Sequence, residues 1–295
     1  MSELKTKLWT TRQLLDWMTD QFASKEIGSP RLIGEMLLTH VLGGERIDLY
    51  ANANRVASDS ERASLRALVK RAMQQEPVQY IVGSSWFFGT EFQVNQSTLI
   101  PRSCTERLVE RTISFCKKLS QKSPRIADIG TGSGCIAVTL ANNIKTAEII
   151  ATDISSDALK LARENARLQG VARQLKFLEG DGITPLLELD PFNVICTNPP
   201  YIPDCEMSKL AKHVVDWEPK LALSGGEDGM AVASGIIKNA AKILKPNGLL
   251  LMEIASSTRD LILEIAQSEP ELKDAKILRD AFGDDRFLEA IRCYK

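Results

Sequence analysis

The stretch Asp128-Ile129-Gly130-Thr131-Gly132-Ser133-Gly134 constrains the fold of this chain more than any other. It follows a short apolar run, Ile126 to Ile129, and opens a helix. Glycines at such a junction let the backbone turn sharply and approach a ligand, and the helix N-terminus offers it free N–H groups. Dinucleotide-binding sheets need Gly-x-Gly-x-x-Gly; here Cys135 stands where the third glycine should fall. A phosphate-binding Walker loop would require Gly-Lys-Ser/Thr, which is absent. Taken alone, the loop also reads as a tight turn.

The residues around it decide for a sheet. Apolar runs at Ile126 to Ile129, Glu148 to Thr152, Leu175 to Leu178, Asn193 to Cys196 and Leu249 to Ile254 alternate with helical stretches such as Asp157 to Leu168 and Met230 to Leu244. Strands alternating with helices predict a parallel sheet covered on both faces. Two last runs, Ala275 to Leu278 and Phe287 to Ile291, have only a turn-rich gap between them, which suits an antiparallel pair at the sheet edge.

Upstream the pattern is helical. Leu14, Leu15, Met18 and Phe22 recur at helical spacing behind Thr10 or Thr11 as N-cap. Ser29-Pro30 reads as a cap and first-turn proline for a helix that Gly43-Gly44 stops, and Ser58-Asp59-Ser60-Glu61 has the capping-box pattern. Residues 1–79 therefore predict a bundle of four or five short helices. Residues 80–102 change character: Trp86, Phe87, Phe88, Phe92 and Val94 around Gly89-Thr90 predict a β-hairpin linker, ended by Pro101. The sheet domain takes 103–295.

Composition excludes several classes. With 37 basic against 38 acidic residues, the formal net charge of -1 argues against coating nucleic acid by bulk electrostatics. Arg62, Arg66 and Lys70 form a stripe on one helix, read as a solvated face. Six cysteines without a Cys-x-x-Cys pair, and only His40 and His213, give no metal or disulfide pattern. Charges at Glu3, Lys5 and Lys7 with no apolar core behind them do not make a secretory signal, and no apolar stretch reaches membrane-spanning length, so a cytoplasmic address is expected.

Three sites after successive strands carry chemistry. Asp153, about 20 residues beyond the glycines, can accept both hydroxyls of a ribose, or cap the helix beginning near Ser155. Asp181, in Glu179-Gly180-Asp181-Gly182, can reach an adenine amino group or simply form the turn. Asn198-Pro199-Pro200-Tyr201 follows the fourth run, at the carboxyl end where open α/β sheets bind ligands. Its prolines stiffen a turn that presents the Asn198 side-chain oxygen and the Pro199 carbonyl, two acceptors for the two hydrogens of an –NH2 group. The Tyr201 ring can cover that group's planar face. Such a nitrogen is a poor nucleophile because its lone pair is conjugated, and holding both hydrogens orients it toward an electrophilic methyl.

With these motifs the chain resembles the HemK/PrmC family, the N5-glutamine methyltransferases of peptide chain release factors. The resemblance runs through Pro77-Val78-Gln79-Tyr80-Ile81, Phe88-Gly89, Leu99-Ile100-Pro101-Arg102, the glycine loop, Asn198-Pro199-Pro200-Tyr201-Ile202, Glu218-Pro219 and Leu223-Ser224-Gly225-Gly226-Glu227-Asp228-Gly229. The tetrapeptide alone is shared with adenine-N6 DNA methyltransferases; the hairpin and glycine-rich segments are more selective. Two departures stand out: Ser103-Cys104 replaces the usual Pro-Glu, where the family's acidic residue lies near the cofactor pocket, and Ala255 replaces a glycine after Glu253.

The resemblance implies an α/β fold: a class I, Rossmann-like, seven-stranded S-adenosylmethionine-dependent methyltransferase domain behind a small helical bundle and hairpin. It implies a cofactor site at Asp128, Gly130, Thr131, Gly132, Gly134, Asp153, Asp181 and Asn198. It places the substrate at Asn198, Pro199, Pro200, Tyr201, Phe88 and Arg102, with Asn198, Pro199 and Tyr201 catalytic and no metal. The implied reaction is direct in-line methyl transfer to the glutamine of a release factor's Gly-Gly-Gln motif, with the helical bundle gripping that protein. A nucleic-acid amino methyltransferase, which would flip its base onto Tyr201, and a non-catalytic cofactor-binding module are the rival readings.

Overall fold

The computed structural model describes residues 8–294, so the reading of Glu3, Lys5 and Lys7 lies outside the described residues. Those residues form two compact units, one of residues up to 83 with 212–217, the other of 84–211 with 218–294.

The first unit contains α1 (Thr11–Ala23), α2 (Pro30–Leu42), α3 (Arg46–Ala51), α4 (Asp59–Met73) and α5 (Val78–Val82). Thr10 is the α1 N-cap, in a reciprocal capping box with Gln13, and Ser58 with Glu61 does the same for α4. Ser29 departs from expectation: it sits at the α2 cap position in left-handed backbone and makes no side-chain cap bond, so Pro30 alone supplies the start signal. Met18, Phe22, Leu37 and Leu38 are fully buried and form the centre of the core with Leu65 and Ile81. The unit runs to Gly83 and takes in the short helix α5, which follows the N-cap Pro77 and buries Val78, Tyr80 and Ile81.

In the second unit β1 (Ser84–Phe87) and β2 (Thr90–Gln93) make the hairpin. Its turn is Phe88-Gly89, both at positive φ (50° and 70°), one residue earlier than the Gly89-Thr90 turn read from sequence. Two residues at positive φ match the right-handed twist of the flanking strands. Phe88, expected in a strand, thus occupies a conformation rare for an aromatic residue, and its N–H donates to Glu106 Oε1 at 2.7 Å.

The remaining elements are α6 (Glu106–Cys116), β3 (Arg125–Ile129), α7 (Cys135–Asn143), β4 (Glu148–Asp153), α8 (Ser156–Leu168), β5 (Leu175–Glu179), β6 (Phe192–Thr197), α9 (Lys212–Val215, in the first unit), α10 (Ala231–Ile243), β7 (Leu244–Glu253), α11 (Arg259–Ser268), β8 (Leu272–Arg279) and β9 (Asp285–Arg292). The sheet runs β5-β4-β3-β6-β7-β9-β8. The first five of these strands are mutually parallel; β9 joins β7 antiparallel and β8 closes the edge antiparallel. All six residues of β6 are buried, as a strand covered on both faces must be. Two apolar clusters cover the two faces, one including α6 and α7, the other α10 and α11. The chain leaves β3 toward β4 on one side, while β6 lies on the other, so the strand order reverses at β3/β6. A crevice opens outside the carboxyl ends of strands at such a point. Among the described residues no helix is long and apolar enough to cross a membrane.

Candidate active site

The register of the central strands brings the two sequence motifs together. Asp128 pairs with Cys196 and Ile129 with Thr197, so the glycine loop and the Asn198 turn leave the sheet side by side. The Thr197 hydroxyl donates to the Ile129 carbonyl at 2.7 Å, tying the two exits. One cleft is lined by both, with Gly130, Gly132, Asp153, Asp181, Asn198 and Pro199 on its wall. Leu99, Pro101, Leu221 and Val232 supply apolar surface to the same cleft.

Gly130, Gly132 and Gly134 all have positive φ, and the bend returns the N–H groups of Gly130 and Thr131 to the Thr152 carbonyl, both at 2.9 Å. Asp128 does not line the cleft. It is fully buried beneath the loop, where one oxygen accepts from the Thr131 hydroxyl at 2.7 Å and the Ala137 N–H at 3.1 Å. Its other oxygen has no hydrogen-bond partner among the described residues, and burial pushes the carboxyl up to about 7. Asp128 therefore ties the loop to the first turn of α7 from beneath.

Asp153 ends β4 facing the cleft. Its oxygens accept the Gly132 N–H at 2.8 Å and the Ser155 N–H at 2.9 Å, and burial raises its carboxyl above the ordinary range. The α8 cap is Ser155, whose hydroxyl accepts from Ala158, which removes the capping alternative for Asp153. Asp181 lies on the cleft wall as an exposed side chain. Bare glycine backbone, two carboxylates along the wall and an apolar flank fit a nucleoside carrying an amino-acid side arm, the shape of S-adenosylmethionine.

Among the described residues the Asn198 amide is tethered through its NH2 side. Its Nδ2 donates to Thr105 Oγ1 at 3.2 Å, and the Thr105 hydroxyl donates to Glu253 Oε2 at 2.7 Å. Glu253, at the end of β7, is fully buried, and burial raises its carboxyl above the usual range. Its other oxygen takes the Tyr201 hydroxyl at 3.4 Å and the Cys104 thiol at 3.7 Å. Tyr201 thus turns its hydroxyl inward toward Glu253 and is not among the residues that line the cleft. Cys104 puts a neutral donor beside Glu253; burial raises the thiol and keeps it protonated.

Arg102 lines the cleft and bonds Glu218 Oε1 at 2.5 Å, while the Ile100 N–H donates to the other Glu218 oxygen at 3.2 Å. The Glu218 side chain is wholly buried, so it anchors both the arginine and the segment behind the hairpin. Phe88 does not reach the cleft; it packs at the margin of the core cluster that includes Phe87, Phe92 and Leu108. The segment from Leu223 to Gly229 braces the tetrapeptide from outside: Ile202 N–H donates to the Leu223 carbonyl at 3.0 Å and Gly225 N–H to the Ile202 carbonyl at 2.9 Å. A Cβ on Gly229 would lie 2.5 Å from the Tyr201 carbonyl, which only glycine permits.

Thr105, Glu253 and Glu218 were not singled out as site residues from the sequence. The available signal was an acidic residue, Glu253, directly after the apolar run Leu249 to Met252 at the carboxyl end of β7.

Comparison with known proteins identifies the family. The PrmC N-terminal domain family matches residues 13–83, and a methyltransferase domain family matches residues 120–289. The release factor glutamine methyltransferase of Nitratidesulfovibrio vulgaris is 38% identical over 99% of this chain and 98% of its own length. The chain belongs to the release factor glutamine methyltransferase family. A second member, from Chlorobaculum tepidum, is 38% identical over 97% of this chain and 98% of its own. The family's methyltransferase fold also appears in the solved hMettl16 catalytic domain in complex with the MAT2A 3'UTR hairpin 6, at 16% identity and a TM-score of 0.54 over 82% of this chain and 86% of that one.

Proposed function

We propose that this enzyme methylates the side-chain amide nitrogen, N5, of the glutamine in the Gly-Gly-Gln motif of peptide chain release factors, with S-adenosylmethionine as donor and by direct in-line transfer. The observation that carries the reading is the Asn198 turn: a side-chain amide tethered through its NH2 beside a stiff Pro199-Pro200 segment on the wall of a glycine-loop cleft. When bound, S-adenosylmethionine supplies a methyl on a sulfonium, which needs no further activation.

Each residue then has a task. Asp153 accepts the ribose hydroxyls on lone pairs not used by Gly132 and Ser155, and Asp181 meets the adenine amino group. The Asn198 Oδ1 and the Pro199 carbonyl take the two hydrogens of the substrate amide, turning its nitrogen toward the methyl. Positioning of this kind supplies up to roughly 7–11 kcal/mol of a barrier. The nitrogen sheds its proton after it has become positively charged, so no strong base is required. Arg102, held by Glu218, faces the incoming loop, and the helical unit contacts the body of the release factor.

The test is mass spectrometry of a release factor incubated with the enzyme and methyl-labelled S-adenosylmethionine. One methyl on the Gly-Gly-Gln glutamine is expected. No label there, with label entering RNA or DNA instead, overturns the reading.

A further inference from the structure

An asparagine amide has two edges of nearly equal shape, one accepting and one donating. The reading above needs the accepting edge toward the substrate, since an NH2 there would meet another NH2. Backbone geometry does not decide this rotation; the hydrogen-bond chain behind Asn198 does. Thr105 has a single hydroxyl proton, and it is given to Glu253 Oε2 at 2.7 Å. Toward Asn198 the same oxygen can then only accept, and it takes the Nδ2 hydrogen at 3.2 Å. At the root of the chain, the other Glu253 oxygen is approached by two more donors, the Tyr201 hydroxyl and the Cys104 thiol. Three donors converging on one buried carboxyl group define it as the acceptor.

We propose that Glu253 is a positioning residue that acts through Thr105 to set the rotation of the Asn198 amide, so that Oδ1 and not Nδ2 faces the substrate nitrogen. The inference rests on the methyl-transfer reading for its purpose, but the orientation itself can be measured without substrate. The groups facing Glu253 are Thr105 and Cys104 before α6, Tyr201 after β6, and the Arg286 guanidinium on β9, whose charge favours the carboxylate. A protonated Glu253 can donate to Thr105, which frees the threonine proton for Asn198 and admits the reversed amide.

The experiment is side-chain amide NMR of Asn198 in the full chain, paired with methyl transfer to a release factor, for wild type, Thr105→Val, Thr105→Ser and Glu253→Gln. A bond to an anchored hydroxyl should slow exchange of one Asn198 NH2 proton in wild type. Thr105→Val should abolish that protection and cut turnover about ten- to a hundredfold, the range of a lost bond to a group backed by a charge. Thr105→Ser should restore both, and Glu253→Gln should fall between. In the Thr105→Val background, adding Glu253→Gln should cost little more, because the second residue works through the first. Unchanged Asn198 protection in Thr105→Val, or wild-type turnover, overturns the proposal. Protection that follows the expected pattern in a wild type that transfers no methyl to an amide leaves the orientation device standing and removes the functional reading instead.

Discussion

The brace behind the tetrapeptide makes Gly229→Ala a demanding test of how the turn is held. Gly229 has φ of 77°, where an L side chain pays about 1–2 kcal/mol. The added Cβ would also stand 2.5 Å from the Tyr201 carbonyl oxygen and 3.0 Å from Pro203 Cδ, a backbone and a ring atom that can yield only if the chain itself shifts. Overpacking of that kind costs about 1–3 kcal/mol more, for a total of about 2–5 kcal/mol. A domain of ordinary stability survives that loss. The relief has to come from the Tyr201 carbonyl moving outward, which drags the neighbouring Asn198-Pro199 acceptors. A displacement near 1 Å at a positioned reactant costs roughly a hundredfold in rate. We therefore expect Gly229→Ala to lower kcat by about that factor and to reduce stability in urea, with S-adenosylmethionine affinity by calorimetry within a few-fold of wild type. Gly283→Ala is the control: it carries the same kind of backbone strain at φ 92° with open space around its Cβ, and should cost stability alone. If Gly229→Ala and Gly283→Ala behave alike in turnover, the brace does not hold the site.

Two further outcomes follow from buried carboxylates. Arg102→Ala leaves the wholly buried Glu218, among the described residues, with the Ile100 N–H alone, and since the arginine is itself 37% exposed the cost is discounted to about 1–3 kcal/mol in urea unfolding; adding Glu218→Gln should recover part of it. An undiminished midpoint in Arg102→Ala would show the pair to be solvent-relaxed. Asp128 titrates at about 7 when folded against roughly 3.9 unfolded, so the native state holds a proton that the unfolded chain has lost. Its contribution to stability therefore falls as pH rises from roughly 4 to 7. Asp128→Asn should flatten that part of the melting-temperature profile, and an unchanged slope across the window contradicts the assignment.

Much of this was legible because it is local. The glycine loop, the strand before it and the helix after it are contiguous, and the apolar runs of the parallel strands stand out without any knowledge of their partners. The tetrapeptide announces its own stiffness through two prolines. What sequence reading missed is held by distant partners. Thr105 and Glu253 are 148 residues apart, and Asn198 joins them across 93, so no spacing rule links the three. Phe88 has every preference of a strand residue, yet hairpin register places it in the turn, where Glu106 caps its N–H. Tyr201 lies beside the cleft in sequence, but a buried carboxylate draws its hydroxyl the other way. Ser29 has the composition of a cap and a left-handed backbone that prevents it from acting as one.

In the proposed reading Asn198, on the wall of the cleft, holds the substrate nitrogen and carries little of the cofactor affinity. The most direct measurement compares Asn198→Ala with wild type, reading S-adenosylmethionine affinity by calorimetry and glutamine methylation of a release factor by mass spectrometry on the same preparations. We expect affinity within a few-fold of wild type and no detectable methyl on the glutamine. Methylation at the wild-type rate, or loss of cofactor binding in step with loss of methylation, contradicts the account.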